Sequence, residues 1–300
     1  MLLTFASDKA VEHSLSIASA MRASPLIVGL LLVSIGTDLP EITNSIISCA
    51  SGHGDIDVGD SLGSAMTQMT LVLGLLPFLG GTFKVKRKEI VVMGTCEMLA
   101  IMLAVSIVEK GYITRINALF LVVSWPIFIL LARGAMVKSA EKKDVAVAPK
   151  DGRLFYHFIV AILGFVGVAV GAYALVQSVI ILSGGLKISE YLISFFIVAI
   201  GTSLPEFVVD LTALRKKQYE LAIGDIIGSS LVDASLSVGI GQLLFPTKIT
   251  GELATITGLY ALFGSFLVIL TLALTKKVDR KVGAFFIAIY LLSYTTLYMI

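Results

Sequence analysis

Apolar residues run along the chain in ten long blocks separated by short polar ones. The blocks fall near 2–20, 25–50, 58–80, 89–108, 114–136, 154–183, 190–214, 219–245, 252–274 and 281–299. A helix crosses a bilayer with about 20 apolar residues. Barrel strands would alternate in pieces of about 10. The pattern therefore predicts an all-α polytopic membrane protein with about ten transmembrane helices. The longest polar stretch, 137–153, predicts a linker between two halves, 1–136 and 154–300.

Composition agrees. The chain is 57% hydrophobic and 15% charged, against about 45–50% and about 25% for soluble domains. A soluble enzyme, a nucleic-acid-binding module, a secreted disulfide scaffold and a disordered tail are excluded. Cys49 and Cys96 lie in or beside apolar runs, and His13, His53 and His157 are scattered near block ends. No disulfide framework, zinc motif or Ser-His pair is implied. Charge placement says more than the net +2: 18 of the 23 Lys and Arg lie in the loops after blocks 1, 3, 5, 7 and 9. Positive loops stay in the cytoplasm. The linker is therefore expected on the cytoplasmic side of a plasma (inner) membrane, with both termini outside.

The halves repeat at an offset of 165 residues. Ile35-Gly36-Thr37-Asp38-Leu39-Pro40-Glu41 aligns with Ile200-Gly201-Thr202-Ser203-Leu204-Pro205-Glu206, identical at six of seven positions. Gly59-Asp60-Ser61-Leu62-Gly63-Ser64 aligns with Gly224-Asp225-Ile226-Ile227-Gly228-Ser229, identical at four of six. Five spans per half place the second half upside down, the inverted-topology repeat of many secondary transporters. Block 6 begins about ten residues earlier in its repeat than block 1 does, so a truncated first helix is expected.

A carboxylate at a helix centre costs about 2.5–3.5 kcal/mol on insertion scales. Glu41 and Glu206 each follow a Gly-Thr-x-Leu-Pro within an apolar block. Proline removes a backbone donor and clashes one turn back, so both helices are expected to break near the midplane, freeing carbonyls around Ser34 and Ala199. Asp60, Ser64 and Gln68, and again Asp225, Ser229 and Asp233, recur at i, i+4, i+8, one helix face. Symmetry sets Thr37, Asp38, Glu41, Ser64 and Gln68 opposite Thr202, Ser203, Glu206, Ser229 and Asp233. The set is nearly all oxygen, with no Lys or Arg. Oxygen suits hard cations, whereas softer metals want Cys or His. A cation or protons must offset the negative charge.

At these motifs the chain resembles the Ca²⁺/cation antiporter superfamily, most closely the prokaryotic sodium/calcium exchangers, whose repeats read G-T-S-x-P-E and G-N-x-x-G-S-N-x-x-[ND]. The resemblance covers the whole chain. It implies Ca²⁺/Na⁺ antiport by alternating access, with the first helix of each half sliding across a static core. It implies that Glu41 and Glu206 bind Ca²⁺, and that Thr37, Thr202, Ser203, Ser64, Ser229, Gln68 and Asp233 help bind Na⁺. The chain departs from the family pattern at Asp38 (usually Ser), Gln68 (usually Asn) and Asp60 and Asp225 (usually Asn). Asp210 stands where its repeat mate is Ser45.

Other readings compete at single positions. Asp38 is either a ligand or a cap for the following half-helix. Asp60 and Asp225 read as structural charges near helix starts, Asp210 as a solvated vestibule residue, and Glu97 as a structural carboxyl. The close functional alternative is H⁺/Ca²⁺ exchange. A cation channel usually lines its pore by subunit symmetry, and an intramembrane enzyme has only Asp38 with Asp233 as a conceivable dyad. With no nucleotide-binding motif, a primary pump is not expected. Nor is a cofactor, a catalytic activity or a nucleic-acid partner. The expected partners are Ca²⁺, Na⁺ (or H⁺) and the lipid bilayer, with one chain as the transport unit.

Overall fold

The computed structural model describes residues 2–20, 24–137, 154–183 and 189–297. Of the expected linker only Val137 is among them. The described residues form ten helical rods: α1 (Leu2–Ala20), α2 (Pro25–Thr37 continued by Leu39–Ala50), α3 (Gly54–Leu79), α4 (Arg87–Val108), α5 (Arg115–Val137), α6 (Leu154–Ser183), α7 (Tyr191–Arg215), α8 (Tyr219–Leu244), α9 (Gly251–Thr275) and α10 (Arg280–Leu297). Six of them, α3, α4, α5, α7, α8 and α9, are single spans long and apolar enough to cross a membrane, and α2 is a bent seventh.

Burial separates centre from rim. In the most apolar stretch of α8, 94% of residues are buried, and in α3 78%, against 28% in α5. The outer rods point Phe120, Leu130, Phe263 and Leu274 outward, as helices facing hydrocarbon do. The inner rods interlock across the repeat: α7 packs on α3 and α2 on α8. Small residues permit this approach. A Cβ on Gly63 would meet the Phe195 carbonyl oxygen at 2.3 Å, and one on Gly224 the Leu26 carbonyl oxygen at 2.3 Å. Rods α1 and α6 lie antiparallel against each other. Gly164 sits on the Ala6 and Ala10 backbone, and His157 Nδ1 stands 2.8 Å from His13 Nδ1. His13 is thus mid-helix, not at a helix end. The Phe165 ring of α6 lies over Gly36 of α2.

The repeat extends to the loops. Strand β1 (Phe83–Lys84) pairs antiparallel with β2 (Lys277–Val278) on one face. On the opposite face Tyr112 bridges Lys248, the counterpart of that pairing at the repeat offset to within one residue of register. The β1–β2 face also carries Lys86, paired with Glu89 and Glu220, and Phe83 stacked on Tyr219. Asp279 starts α10 there by accepting the Lys281 and Val282 amides, each at 3.0 Å.

Candidate cation-binding site

Breaks in α2 and α7 set up the site. Asp38 (φ −76°, ψ 7°) and Ser203 (φ −77°, ψ 5°) leave helical geometry in nearly the same way. The α2 axis turns by 44° there, whereas α7 remains a single span. The Ser34 carbonyl is not free, since it accepts the Asp38 amide at 2.9 Å. Nor is the Ala199 carbonyl, which accepts the Ser203 amide at 3.1 Å. The break falls two residues before each proline, so the α-helical bond to those carbonyls survives. The carbonyls robbed by the missing proline N–H are those of Gly36 and Gly201.

Four five-residue π-helical turns surround these breaks: Gly29–Val33, Gln68–Val72, Ser194–Val198 and Asp233–Ser237. They match pairwise at the 165-residue offset. π turns collect at functional sites, and two of these open on Gln68 and Asp233. No hydropathy pattern announced them.

Every candidate residue is buried. Thr37, Asp38, Glu41, Ser64, Gln68, Ser203, Glu206, Ser229 and Asp233 are at most 1% exposed and Thr202 is 4% exposed. Carboxylate oxygens of Asp38, Glu41 and Asp233 lie within 4.8 Å of one another. Glu206 lies outside that triad and approaches Asp38 and Thr37 from α7, while Gln68 and Ser237 flank Asp233. The polar side-chain atoms of Asp38, Glu41, Gln68, Ser203, Glu206 and Asp233 make no hydrogen bond of good geometry. Asp38 makes no capping bond to the half-helix that follows it. Buried polar groups are normally paired, and unpaired buried charge is among the costliest arrangements in a protein. Among the described residues, no Lys or Arg is buried. An all-oxygen, net-negative set with this many idle acceptors fits a hard cation.

Two symmetric hydroxyl–carboxylate triads flank this centre. Thr202 Oγ1 donates to Asp60 Oδ1 at 2.9 Å and lies 3.2 Å from Ser64 Oγ. Its mate, Thr37 Oγ1, donates to Asp225 Oδ1 at 3.4 Å and lies 3.3 Å from Ser229 Oγ. Each triad takes its threonine from one repeat and its acid and serine from the other. Asp60 and Asp225 are therefore not helix-start charges: both are the seventh residue of their helix, both are buried, and both bond site hydroxyls. Asp210 is not a vestibule residue either, being fully buried against Asp225. Glu97 lies apart, accepting from Ser230 at 2.9 Å and Ser265 at 2.7 Å. Sequence reasoning underrated Asp60 and Asp225, although their recurrence at the repeat offset was the signal that would have ranked them higher.

The chain is similar to known proteins over most of its length. The family model described as sodium/calcium exchanger protein matches residues 1–133 and 156–299. The inner membrane protein YrbG of Escherichia coli strain K12 is 31% identical over 260 residues, covering 83% of this chain and 78% of that protein. The sodium/calcium exchanger MaX1 of Methanosarcina acetivorans is 23% identical, covering 83% and 82%. Among solved structures, the sodium-calcium exchanger NCX_Mj soaked with 10 mM Na⁺ superposes with a TM-score of 0.78 at 26% identity, covering 99% of this chain and 95% of that one. With its ten rods in inverted halves and its oxygen-lined centre, this chain belongs to the sodium/calcium exchanger protein family of membrane transporters.

Proposed function

We propose that this protein is a secondary antiporter that exchanges Ca²⁺ for Na⁺ by alternating access. The observation that carries the reading is the buried Asp38–Glu41–Asp233 triad, with Glu206 beside it and no buried cationic side chain among the described residues to neutralise it. Glu41 and Glu206 hold Ca²⁺, with Asp38 and Asp233 completing the charge. Thr37, Ser64, Gln68, Thr202, Ser203 and Ser229 supply neutral oxygens that suit Na⁺. Ca²⁺ and Na⁺ compete for the same oxygens, so a site cleared of one is ready for the other, and exchange is coupled without nucleotide. The division into repeats 1–136 and 154–300, the cytoplasmic linker 137–153, the outward termini, the plasma membrane location and the single-chain transport unit belong to this proposal. So does the absence of a cofactor or an enzymatic step.

The test is ⁴⁵Ca²⁺ uptake into proteoliposomes. Uptake driven by internal Na⁺, and not by an imposed pH gradient, is the expected result. Uptake driven by the pH gradient alone would instead assign the coupling to protons, a role for which Asp38 is the extra acid. Uptake that collapses to equilibrium without any counter-ion would point to a channel.

The flanking triads give a second expectation. Thr202→Ala removes the donor to Asp60 and should raise the Na⁺ concentration for half-maximal exchange about fivefold, the equivalent of one hydrogen bond of about 1 kcal/mol. Thr37→Ala should do less, because its bond to Asp225 is longer. Na⁺ titration of ⁴⁵Ca²⁺ uptake reads both.

A further inference from the structure

The two flanking triads differ at one point. In the first, Asp60 has both oxygens occupied: Oδ1 by Thr202 and Oδ2 by the Asn44 amide at 2.5 Å. In the second, the repeat mate of Asn44 is Val209, which has no donor to offer. Asp225 Oδ2 is left unpartnered, and the next residue along α7 is acidic. Asp210 is fully buried, no amide or hydroxyl donor reaches either of its oxygens, and its carboxyl lies within hydrogen-bonding reach of that of Asp225. Its own repeat mate, Ser45, is fully engaged: it donates to the Ser237 carbonyl at 2.6 Å and accepts the Gly241 amide at 3.0 Å. One end of the core is thus closed by a satisfied serine. The other end carries a second pair of carboxylates, in contact with each other, three of whose oxygens meet no amide or hydroxyl donor.

From this juxtaposition we infer that Asp210 and Asp225 form a second divalent-cation site. It lies one helical turn beyond Glu206, towards the 216–218 loop on the β1–β2 face. The Thr37 hydroxyl, already bonded to Asp225 Oδ1, and the Ser229 hydroxyl add neutral oxygens. Two carboxylates, two hydroxyls and water are enough for the 6–8 oxygens that Ca²⁺ takes. Thr37 belongs to this site and to the surroundings of Glu206, so a cation held here is one short step from the centre. The second site would stage Ca²⁺ on this face alone. The inference rests on the Ca²⁺-binding reading of the central site.

The experiment is equilibrium binding of ⁴⁵Ca²⁺ to the purified full chain in Na⁺-free detergent, together with transport in vesicles of known orientation. The wild type is expected to bind two Ca²⁺ per chain. Asp210→Ser, which installs the mate's residue, and the isosteric Asp210→Asn should each reduce this to one. They should raise the Ca²⁺ concentration for half-maximal transport at least fivefold from the 216–218 face and less than twofold from the opposite face. A single Ca²⁺ bound by the wild type would overturn the inference and leave a shared proton between the two acids. Two Ca²⁺ retained by both variants, or equal shifts on both faces, would overturn it too. A wild type that binds no Ca²⁺ would overturn the central reading as well, which separates the two failures.

Discussion

Glu41→Gln is expected to cut Na⁺-driven ⁴⁵Ca²⁺ uptake by roughly 100-fold or more. Glu41 is one of three acids whose oxygens lie within 4.8 Å, and it is only 1% exposed. Removing one charged member of a desolvated ion pair costs about 3–5 kcal/mol, and each 1.36 kcal/mol is tenfold. Here the partner charge is the transported cation, so the loss falls on binding. Glu206→Gln should behave alike, because Glu206 is equally buried and unpartnered. The sign of the stability change distinguishes a binding defect from misfolding. Without ions, the glutamine variants shed an uncompensated buried charge, so their melting temperature in detergent should match or exceed that of the wild type. Added Ca²⁺ stabilises a binding protein by about 2.7 kcal/mol at 100 times Kd; the variants should lose that response. Retained Ca²⁺ stabilisation in both variants would remove these glutamates from the site.

Gly63→Leu should prevent the inner rods from assembling. A Cβ there would lie 2.3 Å from the Phe195 carbonyl oxygen and 2.8 Å from Ala199 Cβ. Neither the backbone nor a buried alanine moves aside cheaply. Overpacking a core commonly costs about 1–3 kcal/mol, and a backbone clash with a full leucine belongs at or beyond the upper end. Gly224→Leu meets the Leu26 carbonyl oxygen at the same 2.3 Å and should fail equally, since it guards the contact of α2 with α8. Gly134→Ala is the control: its Cβ would meet nothing within 4 Å, and alanine is the better helix former by about 1 kcal/mol. Size-exclusion profiles and melting curves in detergent check all three. Monodisperse Gly63→Leu with an unchanged melting temperature would contradict the packing described for α3 and α7.

Much of the architecture was legible because it depends on local or additive quantities. Hydropathy marks the rods, since each span satisfies its own backbone. The duplicated Gly-Thr-x-Leu-Pro-Glu placed both breaks to within a residue or two, because proline acts on the turn that contains it. The all-oxygen character of the site followed from residue chemistry and the price of burying charge. Asp60, Asp225 and Asp210 were misjudged for the opposite reason. Their partners, Thr202, Thr37 and the Asp210–Asp225 contact, lie on other helices, and distance from a helix start says nothing about which face meets which neighbour.

The sequence by itself determined the spans, the inverted repeat and the candidate acids, because apolar length, a constant offset and unpaired charge are properties of the chain. Only the tertiary structure decided how the repeats exchange partners. It seats Thr37 on the acid and serine of α8 and Thr202 on those of α3. It also introduced the paired π turns at Gln68 and Asp233. A π turn takes one more residue than an α turn, so it rotates all that follows about the helix axis. Whether that rotation is worth its weaker hydrogen bonding depends on the packing of two helices about 165 residues apart in the chain, a cooperative term that no local window contains.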